Sequence, residues 1–496
     1  MFPLALLALF YLILIVVLLK TRKVVYSPKY QQLPPSPPKL PLIGNLHQVG
    51  NISQDSVHAL SMKYGPLMLL HLGQIPTLIV SSAEMAQEVM KNQDNVYASR
   101  PSMKASKLLL YKNKTVGFAP YGEYWKHAKK LTIVHLLGVS KVKSYELARK
   151  EEVHSTVEKI RHAQSLSNPV DLSEVFSSFT LDILCRVVSK NFSKKHLLRG
   201  LIEEGTALFG EFNFEDYFPA LHVFDNLLKF DSKAKEISKQ WDDLLEQVIT
   251  EHLNRDEKDG DFIDVLLSLQ ANKQADFELT KDHIKAILVD MFGAGSHTTF
   301  ITLEWVMAEL VKDQKTMLTL QQEVRTMSDN KSGTISEEDL KKMTWLKAVI
   351  KETLRLHPPA PLLVPRESLE ESQINGYNVP KGTKVLINAW TINRDPKFWQ
   401  NPDKFIPERF VEKTGIDFRG NNFQLIPFGG GRRICPGINF AISNIEIMIA
   451  TILFHFDWEL PCGMKRDEFD MNYAPGLTVR RNKTLYLVPR EVCHTF

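Results

Sequence analysis

Apolar and polar positions along the chain follow three patterns. Residues 2–19 are uncharged and apolar for 18 residues, and Lys20, Arg22 and Lys23 follow at once. A helix of that length spans about 27 Å, enough for a thin bilayer. Positive charge just after the span places the rest of the chain on the cytosolic side. The charge lies after the run and no small-residue cleavage site follows, so a retained single-pass anchor fits better than a cleaved signal. The second pattern is short apolar runs broken by turn residues. It occurs at 65–82, around "GQIP", and at 373–390, around Asn375–Gly376 and Pro380–Lys381–Gly382. These read as paired strands. The third is helical periodicity at roughly 142–163, 175–190, 232–254, 281–313 and 315–328. The expected fold class is mainly α with a minor β component near both ends of the chain.

Between anchor and body lies "LPPSPPKLPLIGN" at 33–45. Its prolines exclude helix and favour a stiff, extended spacer. The expected organisation is an anchor with its basic flank at 1–23, a proline-rich linker at 24–45, and one body at 46–496.

Composition changes this picture little. At 44% hydrophobic and 24% charged residues, the 496-residue chain has ample material for a large core. A net charge of +4, without a long basic tract, excludes nucleic acid as an expected partner. The four cysteines, Cys185, Cys435, Cys462 and Cys493, are far apart and form no disulfide framework.

Cys435 stands out by its surroundings, "PFGGGRRICPG" at 427–437. Three glycines permit a tight loop rich in backbone donors, and a helical run begins at Ile438. A thiolate there would sit near a helix N-terminus and two arginines, both of which lower its pKa. Such a loop could equally be a structural turn. A phosphate loop fails on spacing, because GxxxxGK[ST] is absent. The second unusual stretch is "FGAGSHTTF" at 292–300, with glycines, threonines and His297 inside a run that otherwise reads as a buried helix.

The cysteine loop matches FxxGxRxCxG through Phe428, Gly431, Arg433, Cys435 and Gly437, the haem-binding signature of cytochromes P450. "KETLR" supplies Glu352 and Arg355, "PERF" supplies Arg409, and "YWKHAKK" and "AGSHTT" occur in the family's order. From about residue 33 onward the chain resembles plant A-type microsomal cytochromes P450.

That resemblance implies a cytochrome P450 catalytic domain at 46–496 behind an N-terminal transmembrane helix, holding haem b (iron protoporphyrin IX). It implies Cys435 as the axial metal ligand, with Phe428 and Gly437 in its loop. Trp125, Lys129, Arg366 and Arg433 resemble haem-propionate partners. Lys129 stands where the family usually has arginine, and offers a charge without a fork. Glu352, Arg355 and Arg409 would form a structural network. Lys126, Lys129 and Lys130 could present a basic face to an acidic reductase, or be ordinary solvated positions.

Thr298 matches the family's threonine that contacts dioxygen and delivers or stabilises a proton. Ala294 and Gly295 would let dioxygen or substrate approach the helix. The residue before that threonine is usually an acid; here it is His297. Three readings stay open: His297 relays protons, water and Thr298 suffice, or the reaction needs less controlled protonation. Phe118, Val289, Ala294, Leu362, Leu363 and Leu477 resemble substrate-pocket positions, with Leu362–Leu363–Val364 as an apolar ceiling.

The implied activity is a monooxygenase acting on a lipophilic plant specialised metabolite, such as a terpenoid, alkaloid or coumarin. It would use O2 and electrons from NADPH through NADPH–cytochrome P450 reductase, at the endoplasmic reticulum membrane with a cytosolic catalytic domain. The alternatives are a reductase-independent haem-thiolate isomerase or lyase, and a non-catalytic haem-binding protein.

Overall fold

The computed structural model describes residues 32–165, 169–190, 192, 194–256, 260–272, 277–327, 335–412, 415–474 and 476–492. The apolar run at 2–19, its basic flank, the start of the proline-rich segment, Pro475 and Cys493 lie outside the described residues. The body is mainly helical with a minor sheet component.

The "GQIP" turn closes an antiparallel hairpin of β1 (Leu67–Leu72) and β2 (Ile75–Val80). Two strands from about 300 residues later complete the sheet: β3 (Arg366–Glu367) and β4 (Lys384–Ile387), in the order β1-β2-β4-β3. β2 and β4 run parallel, with Thr77 opposite Lys384 and Val80 opposite Ile387. The described part of the proline-rich segment packs on this sheet. Leu69 N–H donates to Pro35 O at 2.8 Å, and fully buried Asn45 exchanges hydrogen bonds with the His71 backbone at 2.7 and 2.8 Å. From Pro34 onward the segment therefore belongs to the body rather than spanning free space.

The helices that position the site are α1 (Lys104–Leu109), α2 (Glu123–Thr132), α3 (Leu172–Val188), α4 (Lys195–Gly210), α5 (Phe230–Leu253), α6 (Lys281–Lys312), α7 (Thr344–Leu356) and α8 (Ile438–His455). At 32 residues, α6 is about 48 Å long and crosses the molecule. A capping box fixes its start: Thr280 Oγ1 accepts from His283 N–H, and His283 Nδ1 accepts from Thr280 N–H. Apolar residues occupy nearly every face because α3, α7 and α8 all pack on it. Among the described residues, only α8 is long and apolar enough to cross a membrane, but 67% of that helix is buried. Its neighbours in the core include Trp305, Leu346 and Leu425, so α8 is a core helix.

Candidate active site

The loop before α8 takes a shape that only glycine allows. Gly429 and Gly431 have φ of +70° and +65°. A Cβ on Gly431 would lie 1.8 Å from Met90 O and 2.9 Å from Asp94 Oδ1, so this position excludes side chains on two grounds. The loop folds back so that Cys435 N–H donates to Phe428 O at 3.0 Å. The Phe428 ring packs edge-on to Phe418 at 5.2 Å. Gly437 ends the loop as the N-cap of α8; its N–H bonds the Cys435 sulfur, and a Cβ there would touch Sγ at 3.8 Å.

One expectation is corrected here. Burial pushes the Cys435 thiol up, and it outweighs the Gly437 N–H bond and the charge of Lys129. Of the neighbours expected to lower its pKa, only the helix N-terminus acts, through the Gly437 N–H; Lys129 joins it in place of the arginines, and losing water costs the thiolate more.

Beside the loop, basic side chains converge. Arg433 donates to the carbonyls of Ala98 at 2.6 Å, Val116 at 3.3 Å and Ala119 at 2.5 Å. Arg366 donates to Gly430 O at 2.8 Å and faces Asp94 at 3.7 Å. Lys129 Nζ donates to Arg432 O. Arg100 is a member that the sequence reading missed. It is buried and donates to Gly117 O at 3.0 Å, Val364 O at 2.6 Å and Pro365 O at 2.8 Å. No motif marked Arg100, because an arginine before a proline is an ordinary surface pair until folding buries it. Burial and the Arg366 charge push Arg433 down to about 9, and burial pushes Arg366 down to about 10 despite Asp94. Asp94 and Asp290 are the nearby buried carboxylates, so the cluster carries surplus positive charge.

Trp125 lies under this cluster with its indole N–H already spent on the backbone. Its indole N–H donates to Val116 O at 3.0 Å, and its ring lies 4.1 Å beneath the Arg433 guanidinium. It shapes the cradle by stacking. The expected basic face on α2 is thinned: Lys126 pairs with Glu123 at 2.6 Å, and Lys129 turns inward.

Glu352 and Arg355 close a fully buried bidentate pair at 2.7 and 2.8 Å. Arg409 Nε and Ile406 N–H donate to the same Glu352 oxygen at 3.1 and 2.8 Å. Arg355 also donates to the carbonyls of Asn393, Pro402 and Lys404. This network staples α7 to the chain leading into the cysteine loop.

On α6, Ala294 is exposed and Thr298 half-buried, although most of the helix is buried. Thr298 Oγ1 donates to Ala294 O at 2.8 Å, which leaves its oxygen lone pairs available. Gly295 does not face open space. A Cβ there would meet Leu184 on α3 at 3.0 Å, so its small size serves helix packing. His297 lies about 100° around the helix from Thr298. It lines a polar cavity of about 200 Å³ with Ser173, Glu174, Arg199, Glu203 and Arg480. Burial, then the Arg480 charge, lowers its pKa to about 4, so the ring is neutral at pH 7.

The six pocket positions divide. Phe118 packs against Phe209 with ring centroids 5.1 Å apart and the planes tilted by 32°. Leu477 is half-buried, and a Cβ on Gly210 at the end of α4 would lie 3.9 Å from Cα of neighbouring Gly476. Leu362 packs on the sheet cluster that holds Met68, Leu70 and Ile79, while Leu363 packs in another cluster and lies 3.8 Å from where a Cβ on Gly429 would sit. The expected continuous ceiling is thus split. Val289 is buried in the helical core around α5, away from the open side of α6 marked by Ala294.

The cytochrome P450 family profile matches residues 34–488. This chain belongs to the cytochrome P450 family. It is 44% identical to an indole-2-monooxygenase of Zea mays over 93% of this chain and 88% of the relative. It is 43% identical to a phenylacetaldehyde oxime monooxygenase of Prunus mume, over 92% and 89% respectively. A solved zebra fish cytochrome P450 with abiraterone superposes with a TM-score of 0.74 at 25% identity, covering 89% of this P450 and all of that chain. This P450 is therefore a monooxygenase-family enzyme, and membership implies a haem iron cofactor.

Proposed function

We propose that this P450 is a haem-thiolate monooxygenase that oxidises a lipophilic plant specialised metabolite, with electrons from NADPH delivered by a reductase. The observation that carries the reading is the pairing of one buried thiol, in a loop only glycine can form, with a surplus of buried cations beside it. That donor set fits haem b. Cys435 would ligate the iron through its sulfur. Arg100, Arg366, Arg433 and Lys129 would neutralise the two propionates. When bound, the haem supplies reductive activation of dioxygen.

The protein's own residues would do the rest. The Gly437 N–H holds the sulfur and tempers its charge. Phe428 and Phe418 keep water from the thiolate side. Thr298 offers its hydroxyl on the open face of α6, where it can hold or pass a proton at Oγ1. His297, neutral and turned toward the polar cavity, would act as a solvent-side contact rather than an acid aimed at the reacting centre. Phe118, Phe209 and Leu477 would give substrate an apolar wall. Terpenoids, alkaloids and coumarins fit that chemistry, and the maize and Prunus relatives' names point to small aromatic nitrogen compounds within the same range.

The domain plan proposed with this reading is an anchor at 1–23, a proline-rich segment at 24–45 and a cytosolic catalytic domain at 46–496, on the endoplasmic reticulum membrane. The test is a reduced carbon-monoxide difference spectrum, followed by conversion of an indole, terpenoid and coumarin panel with NADPH and a plant reductase. Absence of the thiolate-type band would sink the haem assignment. Conversion without reductase would favour an isomerase or lyase.

A further inference from the structure

The loop at 115–119 runs between α1 and α2 as turns and bends, so its place depends on what bonds its backbone. Its carbonyls face the basic cluster. Val116 O accepts from the Trp125 indole N–H at 3.0 Å and from Arg433 at 3.3 Å. Gly117 O accepts from Arg100 at 3.0 Å, and Ala119 O from Arg433 at 2.5 Å. The loop also carries Phe118, whose N–H donates back to Thr115 Oγ1 at 3.3 Å and whose ring packs against Phe209. One short loop therefore connects the cations beside Cys435 to the apolar wall.

The N–H side of the loop faces one acid. Gly117 N–H donates to Asp290 Oδ2 on α6 at 2.9 Å, and the Val116 N–H and Thr115 hydroxyl bond the same carboxylate. An ionised carboxylate only accepts, so it can take several donors at once. Asp290 is buried. Burial pushes its carboxyl up to about 6, while those three donors and then the Arg100 charge hold it down, so it is mostly ionised at pH 7. Gly117 is fitted to this contact: a Cβ there would lie 3.3 Å from Asp290 Oδ1, closer than side chains normally pack. Asp290 also stands eight residues before Thr298, about 12 Å along the same helix. A packed helix keeps that spacing, so the acid sets the distance between loop and threonine.

We propose that Asp290 is a positioning residue for the pocket wall: by holding the N–H side of 115–117 it fixes Phe118 relative to Thr298, and so determines how tightly a ligand that extends beyond the iron is held. Asp290 touches no reacting atom. The proposal rests on the haem-pocket reading above. Without the acid, the N–H groups of Val116 and Gly117 lose their partner, at a cost that favours another loop conformation.

The test uses the full-length, haem-loaded protein in lipid nanodiscs, with variants Asp290→Asn and Gly117→Ala. Asn keeps the size of the side chain but sets a donor against the donors of the loop. Two probes that ligate iron through a pyridine nitrogen are titrated by absorbance: pyridine itself, and metyrapone, which extends into the pocket. Hydrogen exchange of 112–120 is read separately, without either probe. In Asp290→Asn we expect exchange at 115–119 to rise about tenfold, with α8 unchanged. Metyrapone should bind at least about fivefold more weakly while pyridine stays within about twofold. Gly117→Ala keeps the carboxylate but crowds it, so it should move both readouts the same way by less. It is read alone if Asp290→Asn fails to load haem. Unchanged exchange and unchanged metyrapone affinity in a folded variant would overturn the proposal. So would a change in one readout without the other, because the loop would then be held without shaping the pocket, or the pocket shaped without the loop. Equal weakening of both probes would also overturn it, since that reports a disturbed haem. Failure of the wild type to bind either probe would count against the haem reading, while the exchange data would still decide whether Asp290 holds the loop.

Discussion

Arg355 and Glu352 lie one helical turn apart on α7 and meet in complete burial, with Nε–Oε2 at 2.7 Å and Nη2–Oε1 at 2.8 Å. Neither charge touches water, and Arg409 shares the same Glu352 oxygen. A buried pair adds modestly to stability when intact, but breaking it strands an unpaired charge. Glu352→Gln should therefore lose about 3–5 kcal/mol of stability. Thermal unfolding and haem content of the purified variant check this, and a stable, fully loaded Glu352→Gln would contradict it.

Arg433 makes three carbonyl hydrogen bonds and stacks on Trp125. Arg433→Lys keeps a charge but loses the planar fork and the stacking. Its expected effect is haem affinity weaker by about tenfold to a hundredfold, by analogy with hydrogen-bonded positions around metal sites. Haem transfer to apomyoglobin measures it. Equal loss rates in variant and wild type would show that the fork does not matter.

Glu304 gives a pH signature. It is buried, and desolvation raises its pKa to about 7, opposed by the bond from Ser173 and the charge of Arg481. The folded protein then holds a proton that the unfolded chain has lost between about pH 4.5 and 7. Stability accordingly falls as pH rises through that window and stays lower above it. Glu304→Gln should flatten this slope, so that its unfolding free energy gains on wild type between pH 5 and 8 by an amount on the order of 2–3 kcal/mol, read as a rising difference in melting temperature. Parallel melting curves across that range would refute the assignment.

His297 faces the polar cavity, while Thr298 lies on the open side of the helix. His297→Asp should keep or raise coupled turnover, because this side chain faces the cavity and Arg480, where an acid is accommodated, rather than the open side of the helix. Thr298→Ala should instead divert electrons to peroxide, with coupling down about tenfold or more. Product formed per NADPH consumed measures both. Near-total loss of product in a haem-loaded His297→Asp would show a specific need for imidazole.

Local chemistry was readable from the chain. The glycine spacing of 428–437 marks the cysteine loop, because a φ near +65° at Gly431 is a conformation that glycine itself permits. The i, i+3 spacing of Glu352 and Arg355 likewise put them on one helical face. Direction was not readable. The sequence could not say that Gly295 meets Leu184, that Trp125 spends its N–H on Val116, or that His297 turns from the pocket. Those outcomes depend on which neighbour packs against each face, and each neighbour comes from a distant part of the chain.

The same division runs through the whole protein. By itself the sequence determined the family, the mainly helical class, the thiol and its loop, and the Glu–Arg pair, because periodicity and backbone freedom act over a few residues. Only the tertiary structure decided that Arg100 joins Arg366 and Arg433, that β2 pairs in parallel with a strand about 300 residues away, and that Lys104 gathers the carboxylates of 215–231. Burial sets the strength of each charge, and the pKa of Cys435 shows this most plainly: its local neighbours favour the thiolate, but exclusion of water by the assembled fold outweighs them.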